Sequence, residues 1–503
     1  MGFAAFSMAV APAVLTIGKL GTSRGRLEYY DAQVAAGVED YYAGRGESPG
    51  QWRGVGVRAL GLTSGADVGR AEFLALMRGL NPRDGGVLRS LGGRSTVAGF
   101  DLTFSAPKSV SVLFAIDDDR VASAALASHE QALGVALAYL EREACWTRRG
   151  RDGVERLHGE GFIAASYRHR MSRAGDPQLH THVVVANMTS VDGRHTALDA
   201  RSLYEHKSAA GAVYRAVLRA EVRERLPWLS WRPAGRGLFE LSGFEDGVLR
   251  HFSQRRVEIE QRAAELVGAG VTSGLSRERM QGIALATRKA KSYGVDGASW
   301  REEAQARAAE HGLGQAELAA LRTRSIADTV VVDLASVRAR LSGPEGLTAM
   351  HNTFVRRHAL AEIAGAFPQG AALNAVDDAT SRYLMQESVV PLTSIAGEEA
   401  RYSTHELLAR ERELIHGAQR RRTERTGVLR TMLVDQTINE QAVALNDDQA
   451  TAVRTITASG HGVDGVNALA GTGKTTMIAA VAAAYQLAGW RVLPRERSLD
   501  ALA

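Results

Sequence analysis

Three histidines are spaced so that they could bind one metal ion together. His180 and His182 belong to the segment Asp176-Pro177-Gln178-Leu179-His180-Thr181-His182, which leads into the valine-rich stretch 183–186. Because side chains alternate faces along a strand, both imidazoles project from one face and Thr181 from the other. His169 ends the preceding strand-like segment, and a return through residues 172–178 would bring it alongside. Three neutral imidazoles would leave coordination positions open for a phosphate oxygen. Histidines that only pack together are the alternative.

Two tyrosine pairs near the start of the chain are candidate nucleophiles. Tyr29-Tyr30 and Tyr41-Tyr42 are separated by 12 positions. A phenol with a pKa of about 10 is a weak nucleophile at neutral pH. Beside a cation that neutralises a phosphate, it can attack phosphorus and form a phosphotyrosyl ester. That ester conserves the energy of the broken phosphodiester, so the strand can be rejoined. Simple packing of the rings is the alternative.

A third chemical motif, near the end of the sequence, is typical of a phosphate-binding loop. An apolar strand-like run is followed by Gly471-Thr472-Gly473-Lys474-Thr475-Thr476 and an alanine-rich helix. Backbone N–H groups would hold phosphates, Lys474 would reach the terminal phosphates, and Thr475 would coordinate Mg²⁺. Gln449 upstream resembles the adenine-reading glutamine of superfamily 1 helicases, although Ala468 replaces the first glycine of the strict motif. The sequence stops 27 residues after Thr476. We therefore expect an incomplete, inactive motor that at most binds ATP and Mg²⁺.

The remaining sequence supplies the elements that must position these residues. Alternation and helical periodicity predict extended segments at 11–20, 100–104, 110–116, 161–170 and 180–187, and helices at 121–143, 208–225 and 404–416.

The chain has 503 residues, 45% of them hydrophobic, which suggests about three domains. No apolar run is long enough for membrane insertion. The single cysteine, Cys145, excludes an internal disulfide and a zinc finger. All but six of the 61 basic residues are arginines, which suits phosphate contacts but is equally explained by GC-rich codons.

In combination, three blocks in order resemble the MobF class of conjugative relaxases, the relaxase–helicases of TrwC/TraI type within the HUH endonucleases. They are the tyrosine pairs, the block Asp101–Ser111, and His169 with Asp176–His182. The resemblance covers about residues 12–310 and implies an α+β fold: a relaxase domain with a central antiparallel sheet and flanking helices. A helical or mixed accessory region and an incomplete RecA-like P-loop segment would follow. The implied domains are 1–325, 326–445 and 446–503.

The resemblance also implies residue roles. His169, His180 and His182 match the ligands of a divalent metal, Mg²⁺ or Mn²⁺, and Asp101 matches the acidic residue that orients a ligand histidine. Tyr29 matches the nucleophile of the first nick and Tyr41 that of the second transfer, with Tyr30 and Tyr42 as substitutes or packing neighbours. Lys108 is either a phosphate contact or a solvated lysine at a strand end.

The implied activity is metal-dependent nicking of one DNA strand at a transfer origin, leaving a 5′-phosphotyrosyl adduct and a free 3′-OH. The implied partners are single-stranded and hairpin or duplex DNA, relaxosome accessory proteins and a type IV secretion coupling protein. A location in the bacterial cytoplasm, with transfer into a recipient cell, would follow. The alternatives are a rolling-circle replication initiator and a decayed origin-binding pseudoenzyme, which would hold DNA without cutting it.

Overall fold

A computed structural model describes residues 14–22, 49–90, 97–172, 174–235, 237–268, 282–283, 297–323, 332–393, 399–469 and 471–493. The chain forms two compact units. The first contains Met1–Arg338 and Val355–Met385, and the second contains Ala339–Phe354 and Gln386–Ala503. Across the described ranges, no helix combines the length and hydropathy that crossing a bilayer requires. The predicted boundaries near residues 325 and 445 stay a prediction.

The strands are β1 (Leu15–Gly21), β2 (Gln51–Arg53), β3 (Val97–Ser105), β4 (Trp146–Arg149), β5 (Glu155–His158), β6 (Ala164–Met171), β7 (Pro177–Ala186), β8 (Thr189–Val191), β9 (Arg194–Thr196), β10 (Trp231–Gly235), β11 (Leu238–Leu241), β12 (Phe354–Val355), β13 (Val389–Pro391) and β14 (Arg401–Thr404). The helices are α1 (Arg70–Met77), α2 (Lys108–Ile116), α3 (Asp119–Ala144), α4 (Ala200–Arg225), α5 (Asp246–His251), α6 (Gln254–Gly268), α7 (Gly297–Glu310), α8 (Gln315–Thr323), α9 (Leu334–Ser342), α10 (Arg356–Gly365), α11 (Leu373–Leu384), α12 (His405–Arg420), α13 (Thr431–Asn439), α14 (Asp447–Ser459) and α15 (Lys474–Leu487).

The main sheet of the first unit has the order β1-β3-β7-β6-β2, with antiparallel neighbours throughout. β7 lies at its centre, where both faces of a strand are covered. This position explains the continuous apolar run Val183–Ala186, in which every residue is fully buried. The predicted α+β class and central antiparallel sheet are therefore confirmed.

One face of this sheet is covered by the long helices α3 and α4, which pack against each other. Asp118 caps the start of helix α3, since its side chain accepts a hydrogen bond from the Val121 N–H. The helix confirms the one predicted at 121–143. Phe104 and Leu102 of β3 point into this layer and are fully buried. Burial of each such side chain contributes about 1.5–3 kcal/mol.

The opposite face is divided along the strands. At one end an apolar cluster contains Trp52, Phe73, Tyr167 and Val184, with the Phe73 and Tyr167 rings edge to face at 5.5 Å. At the other end the same face carries polar side chains, described below. The apolar cluster anchors the sheet, so the polar end is held on a rigid framework.

The extended segment predicted at 110–116 is wrong, because Lys108–Ile116 is helix α2. Glu240 of β11 lies at the start of this helix, where its carboxylate accepts hydrogen bonds from the Ser109 N–H at 2.8 Å and from the Lys108 N–H at 3.3 Å. A carboxylate at a helix N-terminus satisfies orphan N–H groups and complements the helix dipole.

Arg219 of α4 ties residues 355–385 to the rest of the first unit. Its guanidinium is 2% exposed and donates to the carbonyl oxygens of Ala364 and Phe367 at 2.9–3.2 Å. The ring of Phe239 lies 4.2 Å from the guanidinium carbon. Burial lowers the pKa of Arg219 to about 9, with a further contribution from Arg215. A cation this deep is tolerated because carbonyl oxygens and a π face solvate it.

The second unit contains α12–α15 and a small sheet of order β12-β14-β13. Val434, Val453, Met477 and Ala480 form a buried cluster where α13, α14 and α15 meet. Helix α12 confirms the helix predicted at 404–416.

Candidate metal centre

The three histidines lie on two neighbouring strands. In the β6–β7 pairing His169 stands directly opposite His180, and in the β3–β7 pairing His182 stands opposite Thr103. Directly opposite residues of an antiparallel pair share a face, as do residues two positions apart. His169, His180 and His182 therefore project from the same face of the sheet, the one turned away from α3 and α4.

The three imidazole rings form an equilateral arrangement. Each pair of ring centroids is 5.3 Å apart, with interplanar angles of 20° between His169 and His180, 87° between His169 and His182, and 70° between His180 and His182. An imidazole nitrogen lies about 2.1 Å from a coordinated divalent ion, so rings around one ion have centres roughly 5 Å apart. The ring positions fit a shared metal ion.

Hydrogen bonds fix the tautomers of two of these rings. Nδ1 of His182 lies 2.9 Å from both carboxylate oxygens of Asp101, and Nδ1 of His180 lies 2.8 Å from the carbonyl oxygen of Gln178. A carboxylate or carbonyl oxygen only accepts, so Nδ1 carries the proton in both rings. Nε2 is then the nitrogen with the lone pair that a metal needs.

Thr103 is a site residue to which the sequence reasoning assigned no role. Its hydroxyl lies 3.1 Å from Nδ1 of His182 and donates to Asp101 at 3.3 Å. Thr103 is two positions from Asp101 on a predicted strand, so the shared face was already available as a signal. The hydroxyl and the carboxylate together hold the His182 ring in place.

As the side chains stand, no group of three or more His, Cys, Asp or Glu residues in the described part of the chain has the geometry of a formed metal site. Ligation therefore stays a prediction that rests on the ring positions and on the Nδ1 hydrogen bonds.

The turn that leads into β7 is held by buried charges. Asp176 is 1% exposed, accepts from the Gln254 N–H at 2.8 Å and pairs with Arg307 of α7 at 3.0 Å. The Trp300 indole donates to the carbonyl oxygen of Gly175 at 3.1 Å. Helices α6 and α7 thus fix the point from which the histidine strand starts.

Lys108 lies in the same cluster, and its interpretation as a solvated lysine is wrong. Its ammonium donates to the carbonyl oxygen of Pro177 at 2.8 Å. Burial lowers the pKa of Lys108 to about 8, although Asp176 and Glu240 act in the opposite direction. The half-buried side chain therefore supports the first residue of β7.

Tyr29, Tyr30, Tyr41 and Tyr42 lie outside the described residues. Arg168, which flanks His169, lies on the opposite face, where its guanidinium is 3.6 Å from Glu130 of α3. Structural pairing accounts for that arginine.

The predicted phosphate-binding loop precedes α15 in the second unit. Gly471 and Gly473 have φ of 78° and 77°, a left-handed conformation that glycine adopts without strain, and Lys474 is the first residue of the helix. Its ammonium donates to the carbonyl oxygens of Ala468 and Leu469 at 2.9 and 2.7 Å. Thr475 and Thr476 lie in the first helical turn.

Gln449 contacts this loop directly. Its side-chain amide donates to the carbonyl oxygen of Thr472 at 2.9 Å, while its side-chain oxygen accepts from the Asn446 N–H at 3.0 Å. The Asn446 side chain in return accepts from the Gln449 N–H, completing a capping box at the start of α14. The glutamine therefore joins α14 to the glycine-rich loop.

Comparisons with known proteins match both units. The family model described as TrwC relaxase matches residues 23–311, and the model described as AAA domain matches residues 444–498. Two relatives named multifunctional conjugation protein TraI, from Escherichia coli and from its strain K12, are 32% and 31% identical over 267 residues. Each match covers 51% of this chain and 14% of the relative, so the chain spans about a seventh of their length.

Solved structures of TrwC are similar as well. TrwC complexed with a 27-mer DNA comprising the recognition hairpin and the cleavage site is 30% identical, with a TM-score of 0.50. Metal-bound TrwC in complex with oriT DNA is 31% identical, with a TM-score of 0.51. Both similarities cover 59% of this chain and 99% of the solved chain.

Proposed function

Because this chain belongs to the TrwC relaxase family, we propose that it is a conjugative relaxase, which nicks one DNA strand at a transfer origin by tyrosine transesterification. The observation that carries the proposal is the triangle of His169, His180 and His182, with His182 held by Asp101. The complex of TrwC with a DNA comprising a recognition hairpin and a cleavage site supports the same substrate class, single-stranded DNA beside a hairpin, for this chain.

In the proposed reaction the phenolic oxygen of Tyr29 attacks the scissile phosphorus. The P–O3′ bond breaks as the Tyr–O–P bond forms, so one phosphodiester replaces another without oxidation or reduction. The phenol loses its proton and the 3′-oxygen leaves as the free hydroxyl. Tyr41 would perform the second transfer, with Tyr30 and Tyr42 as the neighbouring alternatives.

His169, His180 and His182 would hold the metal through imidazole nitrogen. A divalent ion there would withdraw charge from the scissile phosphate and stabilise the transition state. Asp101 keeps the proton of His182 on Nδ1 and raises the basicity of Nε2. Imidazole nitrogens suit transition-metal ions better than Mg²⁺, which prefers carboxylate and water oxygens. Of the two expected ions we therefore choose Mn²⁺ for the first assay.

The wider setting follows from the same proposal. Relaxosome accessory proteins and a type IV secretion coupling protein would be the protein partners, and the bacterial cytoplasm would be the site of nicking before transfer into a recipient. In the second unit, residues 471–476 with Gln449 would bind ATP and Mg²⁺.

The test uses end-labelled single-stranded oligonucleotides that tile the DNA beside the gene. Each is incubated with the protein and either Mn²⁺ or EDTA, then separated on a denaturing gel before and after protease treatment. We expect a metal-dependent, protease-sensitive adduct on one tile, and we expect its loss in His180→Ala. DNA binding that persists without any adduct would instead indicate an origin-binding pseudoenzyme.

The nucleophile is assigned by single substitutions in the same assay. Tyr29→Phe should suppress the first adduct, whereas Tyr30→Phe serves as the matched control one residue away. An undiminished adduct in Tyr29→Phe would move the nucleophile to Tyr30 or to the second pair. Adducts on nicked oligonucleotides report the second transfer, for which Tyr41→Phe and Tyr42→Phe form the equivalent pair.

A further inference from the structure

The residue between the two histidines of β7 faces away from the candidate metal centre. Thr181 is 1% exposed and stands opposite Phe104 of β3 and Arg168 of β6. Its hydroxyl lies 2.8 Å from Nε2 of His129, a residue of α3. The histidine strand is therefore hydrogen-bonded to the helical layer beneath it, one position from each of His180 and His182.

His129 extends this contact to the second long helix. The imidazole is fully buried, and its Nδ1 lies 2.7 Å from the hydroxyl of Tyr214 in α4. Burial lowers the pKa of His129 to about 3, with Arg168 and Arg53 acting in the same direction, so the ring is neutral at working pH. A neutral imidazole has one donor and one acceptor nitrogen, and the two hydroxyls can supply the complementary roles in either tautomer.

The backbone ladder and this chain of side chains act in different directions. Ladder hydrogen bonds hold β7 to β3 and β6 within the plane of the sheet. The Thr181–His129 bond runs from the sheet to α3, across the layer, as the Arg168–Glu130 ion pair of β6 does at 3.6 Å. The Thr181–His129 bond belongs to β7 itself and lies between His180 and His182, where a directional contact can fix the height and tilt of the strand.

We propose that the buried chain Thr181–His129–Tyr214 is a positioning device that holds His180 and His182 at the spacing a shared metal ion requires. The proposal rests on the proposed function, because it assumes that these histidines bind metal. The three residues lie on the side of the sheet opposite the His180 and His182 rings, and they act through the backbone of β7. Binding sites lose much of their efficiency when ligands move by about 1 Å, so loss of this bond should weaken metal binding.

The experiment titrates the whole 503-residue chain with Co²⁺, whose visible absorption reports the number and geometry of imidazole ligands. Thr181→Val removes the hydroxyl at nearly constant volume, and Thr181→Ser restores it. Thr380→Val is the matched control, since Thr380 is equally buried and its hydroxyl bonds only within α11, to the Val376 carbonyl at 2.7 Å. Tyr214→Phe removes the hydroxyl that contacts His129 and keeps the ring. It therefore tests the Thr181–His129–Tyr214 hydrogen bonds if Thr181→Val folds poorly.

We expect Thr181→Val to bind Co²⁺ about tenfold more weakly with an altered spectrum, within the range seen when groups around metal ligands are removed. Thr181→Ser should bind as the wild type does, and Thr380→Val should melt at a lower temperature with an unchanged spectrum. Equal Co²⁺ affinity and spectrum in Thr181→Val, Tyr214→Phe and wild type would overturn the proposal. A Co²⁺ spectrum that His180→Ala leaves unchanged would instead refute the metal centre itself.

Discussion

Replacing Asp101 by asparagine would keep the size of the side chain next to His182 and change what it can do. The carboxylate has two oxygens at 2.9 Å from Nδ1, and both can only accept. An asparagine amide can instead donate to Nδ1, which would move the imidazole proton to Nε2. The lone pair of His182 would then be on Nδ1 and point towards residue 101, away from the candidate metal centre.

The size of the effect follows from these contacts. Removal of a hydrogen-bond partner behind a metal ligand typically lowers metal affinity 10–100-fold, which is about 1.4–2.7 kcal/mol. Asp101 is the only one of the two partners of His182 Nδ1 that forces the proton onto that atom, because the Thr103 hydroxyl at 3.1 Å can donate or accept. We therefore place Asp101→Asn at the upper end of this range and Thr103→Val near the lower end.

The assay measures DNA–protein adduct as a function of Mn²⁺ concentration. We expect the midpoint for Asp101→Asn to rise about 100-fold and that for Thr103→Val about tenfold, with adduct partly restored at high Mn²⁺ in both. Asp84→Asn, on an exposed turn, is the control for loss of one negative charge. If Asp101→Asn and Asp84→Asn share the wild-type midpoint, the assigned role of the Asp101–His182 bond is wrong.

Three further predictions concern stability and the second unit. Burial, with a contribution from Arg357, lowers the pKa of His206 to about 4, below the roughly 6.5 of an exposed histidine. The native state then binds fewer protons than the unfolded state, so the stability that His206 contributes is complete above about pH 6.5 and declines towards pH 4. Between pH 7 and pH 5 the free energy of unfolding should fall by about 2 kcal/mol less in His206→Gln than in the wild type. An equal fall in the two proteins, measured by denaturation at both pH values, would contradict this. Arg219→Met should lower the free energy of unfolding by about 2–3 kcal/mol, because buried carbonyl oxygens lose their hydrogen-bond donor. A loss below about 0.5 kcal/mol in the same assay, roughly the size of a surface substitution, would show that these oxygens find another donor. Lys474→Ala should abolish binding of a fluorescent ATP analogue and leave formation of the DNA–protein adduct unchanged. Loss of the adduct in this variant would show that nicking depends on the glycine-rich loop.

The histidine strand was predictable because its information is local. Alternation along Asp176–Ala186 gives the shared face of His180 and His182, and the unbroken valine run gives a strand covered on both sides. The turn at 172–178 is short, so chain connectivity favours the strand pairing in which His169 lies opposite His180. Periodicity and chain connectivity decide these features without help from distant residues.

Helix α2 was mispredicted and the burial of Lys108 was not foreseen, because distant residues decide both. The run Val110–Ile116 is apolar at nearly every position, so periodicity cannot separate a buried strand from a buried helix. Glu240, far along the chain, supplies the carboxylate at the helix start, and Asp176 and Pro177 surround the lysine. The Thr181–His129–Tyr214 chain was equally hidden, since its members lie on three separate elements.

The buried guanidinium of Arg219 bears on where a shorter, independently folding piece of this protein can be cut. A fragment that stops at residue 325 would contain the arginine and discard both of its acceptors, Ala364 and Phe367. It would also discard the Gln369 side chain, whose oxygen accepts from the Trp231 N–H. Such a fragment would expose the apolar surface of α4 that α10 otherwise covers, and exposed apolar surface promotes aggregation during expression. Ending the fragment at Met385 retains the whole of the unit, so the two lengths should differ sharply in soluble yield.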